Sequence, residues 1–431
     1  MSATTSKLQY SNVPPRATSS RAIRQEVIPS NGSTFTMSNT IIFDVPSNLN
    51  NTFADFQSSY IKMNIKNNDG APVFLPAGGA PGLIRRITLE LGGQTLFSCD
   101  NWNTLYAMMI SLDTSEGFRS NTGKRLFGSS GTSAFVGQTI VNAQARDVCF
   151  PLILTPLTGM NKYFPLISRD RLRIRIEFDS AIHALTGAAG LLDSQIVFSE
   201  VSLVMYTLEL GSSVMAQVAS TSGGQFKIAM PSYQHHQTQL GASDTGAVAT
   251  LGFSMSSLNR VLVAQTPQGS TVTKNNIDNR SRLALNRAFI TIGGVKYPQR
   301  DLRETGITGD FGAGSEILAE ALISQRSLCS WSHDSSVELN GSGGFSLFED
   351  DGSTSLKTGS YVLDIDLESQ RVSGNENSLG LIAGINTIGQ IVQMTFEYTT
   401  SPTAVHLIDV FGEHTILCML DLNTLTWQIA V

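Results

Sequence analysis

The chain has 431 residues, enough for two to three domains of ordinary size, and combines 41% hydrophobic residues with only 15% charged ones and 38 glycines. This balance argues against a disordered chain, a coiled coil or long exposed helices, and for strands joined by uncharged turns. The net charge is −6, with residues 1–25 carrying +4 (Lys7, Arg16, Arg21 and Arg24, no acid) and the remaining 406 carrying −10, so the surface as a whole is a poor nucleic-acid binder, while the basic arm is a candidate contact for nucleic acid, anionic lipid or an acidic neighbour.

Residues 1–30 read as an amino-terminal arm without the apolar core of a secretory signal, and no run of 18 apolar residues occurs anywhere. Next come two segments rich in β-branched and aromatic residues, Asn39 to Asp44 and Tyr60 to Ile65, which predict strands. A Gly/Pro loop at 78–82 precedes a clear strand, Leu83 to Leu91, that stops at Gly92-Gly93. Trp102 to Leu112 has apolar residues at helical spacing and predicts a helix whose Met108 and Met109 fill core. In 148–178 three prolines, Pro151, Pro156 and Pro165, exclude a helix, and Leu172 to Phe178 alternates strictly as a strand should. Two short strands, 195–198 and 201–208, close this half, and the small polar stretch 211–224 reads as a linker.

The second half repeats the first in order. Ile87 to Gly93 (ITLELGG) resembles Ala288 to Gly294 (AFITIGG), 201 residues later, and each is followed by a predicted helix, the second being Ser315 to Ser324. Leu172 to Phe178 (LRIRIEF) is matched by Val392 to Tyr398 (VQMTFEY), 220 residues later. The difference implies an insertion in the second half, placed in the Gly/Ser-rich stretch 339–360. A paired glycine ends each strand because a tight hairpin needs positive φ. Two copies of a β-rich unit of this size point to two antiparallel sandwiches or jelly rolls in one chain.

Motifs of catalysis are missing. The sequence contains no phosphate-binding G-x-x-x-x-G-K-[ST], no H-E-x-x-H and no G-x-S-x-G. Of six histidines only His235 and His236 are adjacent, and neighbours on a strand face opposite ways, which disfavours a shared metal. Cys99, Cys149, Cys329 and Cys418 are widely spaced and read as reduced thiols. Glu349-Asp350-Asp351 lacks the alternating spacing of a calcium loop, and Asp364 with Asp366, two apart on a strand, read as an exposed polar face rather than a glycosidase pair. No enzyme activity, cofactor, metal or small-molecule substrate is expected.

Three segments resemble the double jelly-roll major capsid proteins of tectiviruses, adenoviruses, virophages, polinton-like viruses and nucleocytoplasmic large DNA viruses. They are Phe43-Asp-Val-Pro46 with Phe53 to Ile65, the strand-turn-helix of Leu83 to Leu112, and Phe150-Pro-Leu152 with Phe164-Pro-Leu166 leading to the strand that ends at Phe178. The resemblance implies an all-β fold of two tandem antiparallel eight-stranded jelly rolls with a few short helices and an extended amino-terminal arm. The division it suggests is arm 1–30, first roll 31–212, linker 213–224 and second roll 225–431. It implies a capsid building block in which a homotrimer forms a pseudo-hexagonal capsomer of an icosahedral virion shell. Neighbouring capsomers, minor capsid or vertex (penton) proteins, and an internal membrane or genome touched by the arm are the partners it implies. Lys7, Arg16, Arg21 and Arg24 are then the candidate interior or inter-capsomer contacts. Two rival readings stay open: a single-jelly-roll shell protein of a small RNA virus with a projecting domain, and a β-sandwich carbohydrate-binding protein using Trp102, Trp331 and Trp427.

Overall fold

The computed structural model describes residues 20–130, 137–160, 162–187, 190–269, 277–280, 283, 285–303, 315–324, 361–368 and 384–430. Its first half contains β1 (Ser20–Val27), β2 (Thr34–Thr36), β3 (Thr40–Asp44), β4 (Thr52–Asn67), β5 (Val73–Phe74), β6 (Ile84–Leu91), β7 (Gln94–Cys99), the helix α1 (Trp102–Asp113), β8 (Thr139–Ile140), β9 (Ala145–Phe150), β10 (Phe164–Pro165), β11 (Leu172–Phe178) and β12 (Ile196–Leu210). The second half contains β13 (Gln225–Leu240), β14 (Gly246–Leu251), β15 (Leu258–Pro267), β16 (Leu285–Ile292), β17 (Val295–Arg303), β18 (Leu363–Asp366), β19 (Val392–Tyr398), β20 (His406–Asp421) and β21 (Thr426–Ala430).

In the first half one sheet runs β1-β12-β4-β10, with β2 also on β12 and β9 also on β4, and a second sheet runs β3-β11-β6-β7. The second half gives β13-β20-β15-β18, with β21 on β20, and β14-β19-β16-β17. If the eight strand positions are counted along each half, both halves have the same order: first-eighth-third-sixth in one sheet and second-seventh-fourth-fifth in the other. All these pairings are antiparallel. Two such sheets closed over a core form a jelly roll. Phe178 of β11 stacks on Phe198 of β12 at 4.0 Å, joining the two sheets of the first roll.

Register makes the duplication exact at residue level. Leu89 stands opposite Ile174 in the first roll, and Ile290 stands opposite Met394 in the second. Leu89 and Ile290 are 201 apart, while Ile174 and Met394 are 220 apart, the same two displacements that relate the sequence repeats. Both glycine pairs turn alike: φ is 59° and 84° at Gly92 and Gly93, and 57° and 85° at Gly293 and Gly294. Positive φ at both central residues is the hairpin whose twist matches its strands. Alternation also holds, since Leu172, Ile174, Ile176 and Phe178 are buried and Arg173 is exposed.

Several sequence readings change. Residues 20–27 pair along their whole length with β12, so the arm read as 1–30 gives way to a sheet strand at Ser20. The strands expected at 195–198 and 201–208 are one strand interrupted by a register shift, where Glu200 takes φ 51°. The linker 213–224 is mostly the helix Ser212–Thr221, closed by Gly223 and Gly224 at positive φ. The insertion expected at 339–360 lies outside the described residues.

Candidate functional site

The two rolls share one continuous apolar core, and polar side chains of both rolls meet at the seam between them. At one end Ser168 Oγ and Arg169 N–H both donate to the Leu425 carbonyl (3.1 and 2.9 Å), and Asp170 Oδ2 accepts the Trp427 N–H at 2.8 Å. Beside them the Phe164 and Trp427 rings stack at 5.2 Å. Midway, Asp409 Oδ1 accepts from Asn101 Nδ2 of the first roll at 3.0 Å, from Gln237 Nε2 at 2.8 Å, and lies 2.8 Å from His235 Nε2. Further along, Asp278 Oδ2 accepts the Ala77 N–H at 2.7 Å, and Arg280 Nη2 donates to Ser111 Oγ at 3.2 Å. Burial lowers the Arg280 guanidinium to about 10, against the opposing pull of Asp278, which still leaves it charged at neutral pH.

A second charged cluster sits behind the seam in the second roll. Arg260 Nε donates to Glu413 at 2.6 Å, and its Nη1 lies 3.5 Å from Asp364. Asp364 is fully buried, which corrects the exposed polar face expected for Asp364 and Asp366. Burial pushes its carboxyl up to about 7 even though Arg260 pulls it down. In the first roll the Asp179 carboxylate is held by His183 and by Asn103 Nδ2 (2.7 Å), which overcome its burial and keep it below the usual carboxylate range. Each of these carboxylates is engaged by structural partners within the fold.

Among the described residues, no three His, Cys, Asp or Glu side chains are grouped to hold a metal ion. His235 is turned to Asp409 and the Phe411 ring. Cys99 and Cys418 are buried thiols, with Cys418 pushed up to about 12 by burial, and Cys149 is also unpaired by disulfide. Trp102 and Trp427 are buried and stack on Tyr106 and Phe164, so neither offers a face to a sugar. Trp331, Cys329 and the acidic stretch 349–351 lie outside the described residues.

Of the four basic residues read as contacts, Lys7 and Arg16 lie outside the described residues. Arg21 and Arg24 stand on β1, an edge strand, and are exposed. Arg24 Nη2 donates to Glu26 at 3.1 Å and reaches the Tyr60 hydroxyl at 3.5 Å, so part of its charge is already answered. The seam residues Asp170 and Leu425 were not singled out from the sequence, and Trp427 was read there only as a ring for the carbohydrate-binding alternative. The signal available for Asp170 is its place beside the Gly92-Gly93 turn at the start of the alternating strand. No described helix is long and apolar enough to cross a membrane.

No family model and no curated protein matches the sequence. Solved structures do match over nearly the whole length. VP54 of PBCV-1, fitted into a reconstruction of the virophage Sputnik, is 12% identical with a TM-score of 0.62, the match covering 98% of this chain and 99% of that one. The Faustovirus major capsid protein is 10% identical with a TM-score of 0.60 over 94% and 91% of the two chains. The mavirus major capsid protein is 11% identical with a TM-score of 0.54 over 98% and 93%. The chain has the double jelly-roll fold. Within this fold the seam described above is the contact between the first and the second roll.

Proposed function

We propose that the protein is a major capsid protein, a structural building block of an icosahedral virion shell. The observation that carries this reading is the end-to-end match of both rolls to viral major capsid proteins, together with two halves of identical strand order and register. Three copies supply six similar rolls, so a homotrimer makes a pseudo-hexagonal capsomer that tiles beside neighbouring capsomers. The low charge of 15% suits this role, because close packing of copies then desolvates few charges. Minor capsid or vertex proteins are the further partners of such a shell. Lys7, Arg16, Arg21 and Arg24 are assigned to inter-capsomer or interior contact, with membrane or genome as the interior partner. The role is structural rather than catalytic, and its place is the virion. Light scattering on the purified chain, with negative-stain imaging, tests the reading. A particle of three times 46.4 kDa with a six-sided outline is expected, and a monomer at micromolar concentration overturns it.

A further inference from the structure

The end of β12, the helix Ser212–Thr221 and the start of β13 carry the chain from the first roll into the second. Beside this crossing the rolls do not close completely, and they leave an open groove of about 680 Å³. Its walls come from three sources. The first roll supplies Phe53 of β4 and Leu208 and Leu210 of β12, the two leucines lying on one face of the strand. The second roll supplies Phe226 and Ile228 of β13, and the Phe53 and Phe226 rings meet across the seam at 6.0 Å. The helix supplies Val218, 37% exposed, one turn beyond Met215, which packs on the core.

The charges on this groove have one sign. Lys162 of the first roll and Lys227 of the second both line it and are exposed. Lys162 Nζ donates to the Lys227 carbonyl at 3.3 Å, which brings the first ammonium to the residue that carries the second. No Asp or Glu lines the groove, whose other polar residues are the neutral Gln217, Thr221, Ser222 and Gln225. Among the described residues neither lysine is paired with a carboxylate.

Apolar walls beside unpaired cations fit a molecule with a hydrocarbon body and an anionic end. The volume falls within the roughly 300–1,000 Å³ of small-molecule sites, which favour the junction of two domains. The chain's own arm is a poor occupant, since residues 1–19 carry Lys7 and Arg16 and no acid and would set like charges beside the lysines.

We propose that the groove binds a single long-chain fatty acid, with its hydrocarbon chain along Phe53, Leu208, Leu210 and Phe226 and its carboxylate at Lys162 and Lys227. Bound there, the ligand touches both rolls and the helix that joins them, so it stabilises the folded chain by mass action and ties the rolls together at their crossing. The site does not depend on the capsid reading.

The test titrates the full chain with monomeric oleate, followed by calorimetry and by thermal melting. Oleyl alcohol keeps the chain and removes the charge, butyrate keeps the charge and removes the chain, and phosphatidylglycerol vesicles present anionic heads on a bilayer. Wild type is expected to take up one oleate per chain, to melt at a higher temperature with oleate, and to bind neither butyrate nor vesicles. The exposed double variant Lys162→Glu/Lys227→Glu is expected to lose about tenfold or more in oleate affinity while its affinity for oleyl alcohol is unchanged. Val218→Asp is expected to weaken both. Circular dichroism verifies that each variant folds, and the lysine variant decides the outcome if Val218→Asp does not. Wild type that takes up no oleate, or binds oleyl alcohol as tightly as oleate, overturns the inference, as does a lysine variant with wild-type affinity for oleate. Recruitment to vesicles without uptake of monomeric oleate overturns it as well and assigns the surface to a membrane. Each of these results leaves the capsid reading standing, because that reading is scored by particle mass and outline.

Discussion

Asp170 in the first roll accepts the backbone N–H of Trp427 in the second at 2.8 Å, across 257 positions of sequence. A charged acceptor on a partly buried donor is worth about 1.5–3 kcal/mol. Asp170→Ala is therefore expected to lower stability to urea by about that amount and to accelerate hydrogen exchange at the Trp427 amide more than at amides of β4 or β15. Unchanged exchange at Trp427 would show that the hairpin β20–β21 is held by other contacts.

The same carboxylate makes the two glycine hairpins unequal. An alanine at Gly92 or Gly293 is forced into positive φ, costing about 1–2 kcal/mol. At Gly92 the new Cβ also falls 2.8 Å from Asp170 Cγ, whereas at Gly293 it meets only the end of the flexible Gln390 side chain. Gly92→Ala is expected to destabilise by about 2–4 kcal/mol and Gly293→Ala by about 1–2 kcal/mol in chemical denaturation. Equal losses would mean that Asp170 can move aside without giving up Trp427.

The contrast between these hairpins indicates which parts of the fold can be read from sequence. Leu172 to Phe178, the glycine pairs and α1 were legible because period and turn chemistry are local, and the repeat was legible because both copies preserve them. The helix Ser212–Thr221 was not: its serines, its threonine and its glycine flanks outweigh Val214, Met215 and Val218, which give it a helical face. The burial of Asp364 was hidden because its compensation, Arg260, is brought to it by strand pairing from more than a hundred residues away. The seam escaped for the same reason. Asp170 with Trp427 and Asn101 with Asp409 are partners only after both rolls have formed.

The boundary of the arm predicts two different truncation outcomes. Residues 20–27 form eight register pairs with β12, whereas residues 1–19 precede that strand. On the capsid function proposed above, removing 1–19 is expected to leave melting temperature and capsomer mass unchanged while impairing assembly of shells, scored by electron microscopy. Removing 1–27 uncovers the β12 edge and is expected to lower the melting temperature by several degrees and promote aggregation. A capsomer that dissociates on loss of 1–19 alone would move the arm from shell contacts to the trimer itself.

Two buried groups in the second roll give the protein opposing responses to pH. Burial lowers His414 to about 4 from its ordinary 6.5. Between these values the unfolded chain binds a proton that the folded chain does not, so this contribution to stability is complete above pH 6.5 and is lost as pH falls to 4. Burial raises Asp364 to about 7 from 3.8, against the attraction of Arg260 and with Glu413 and Asp366 adding to the rise. Here the folded chain holds the proton that the unfolded chain gives up, so the contribution is complete below pH 3.8 and is lost as pH rises to 7. Each spans on the order of 3–4 kcal/mol and they overlap with opposite sign, so they largely offset each other in the wild type. His414→Asn is then expected to fall in stability steadily from pH 4 to 7, and Asp364→Asn to rise over the same range, both followed by urea midpoints at half-unit steps. Parallel profiles for the two variants would mean that neither group controls the pH response of this roll.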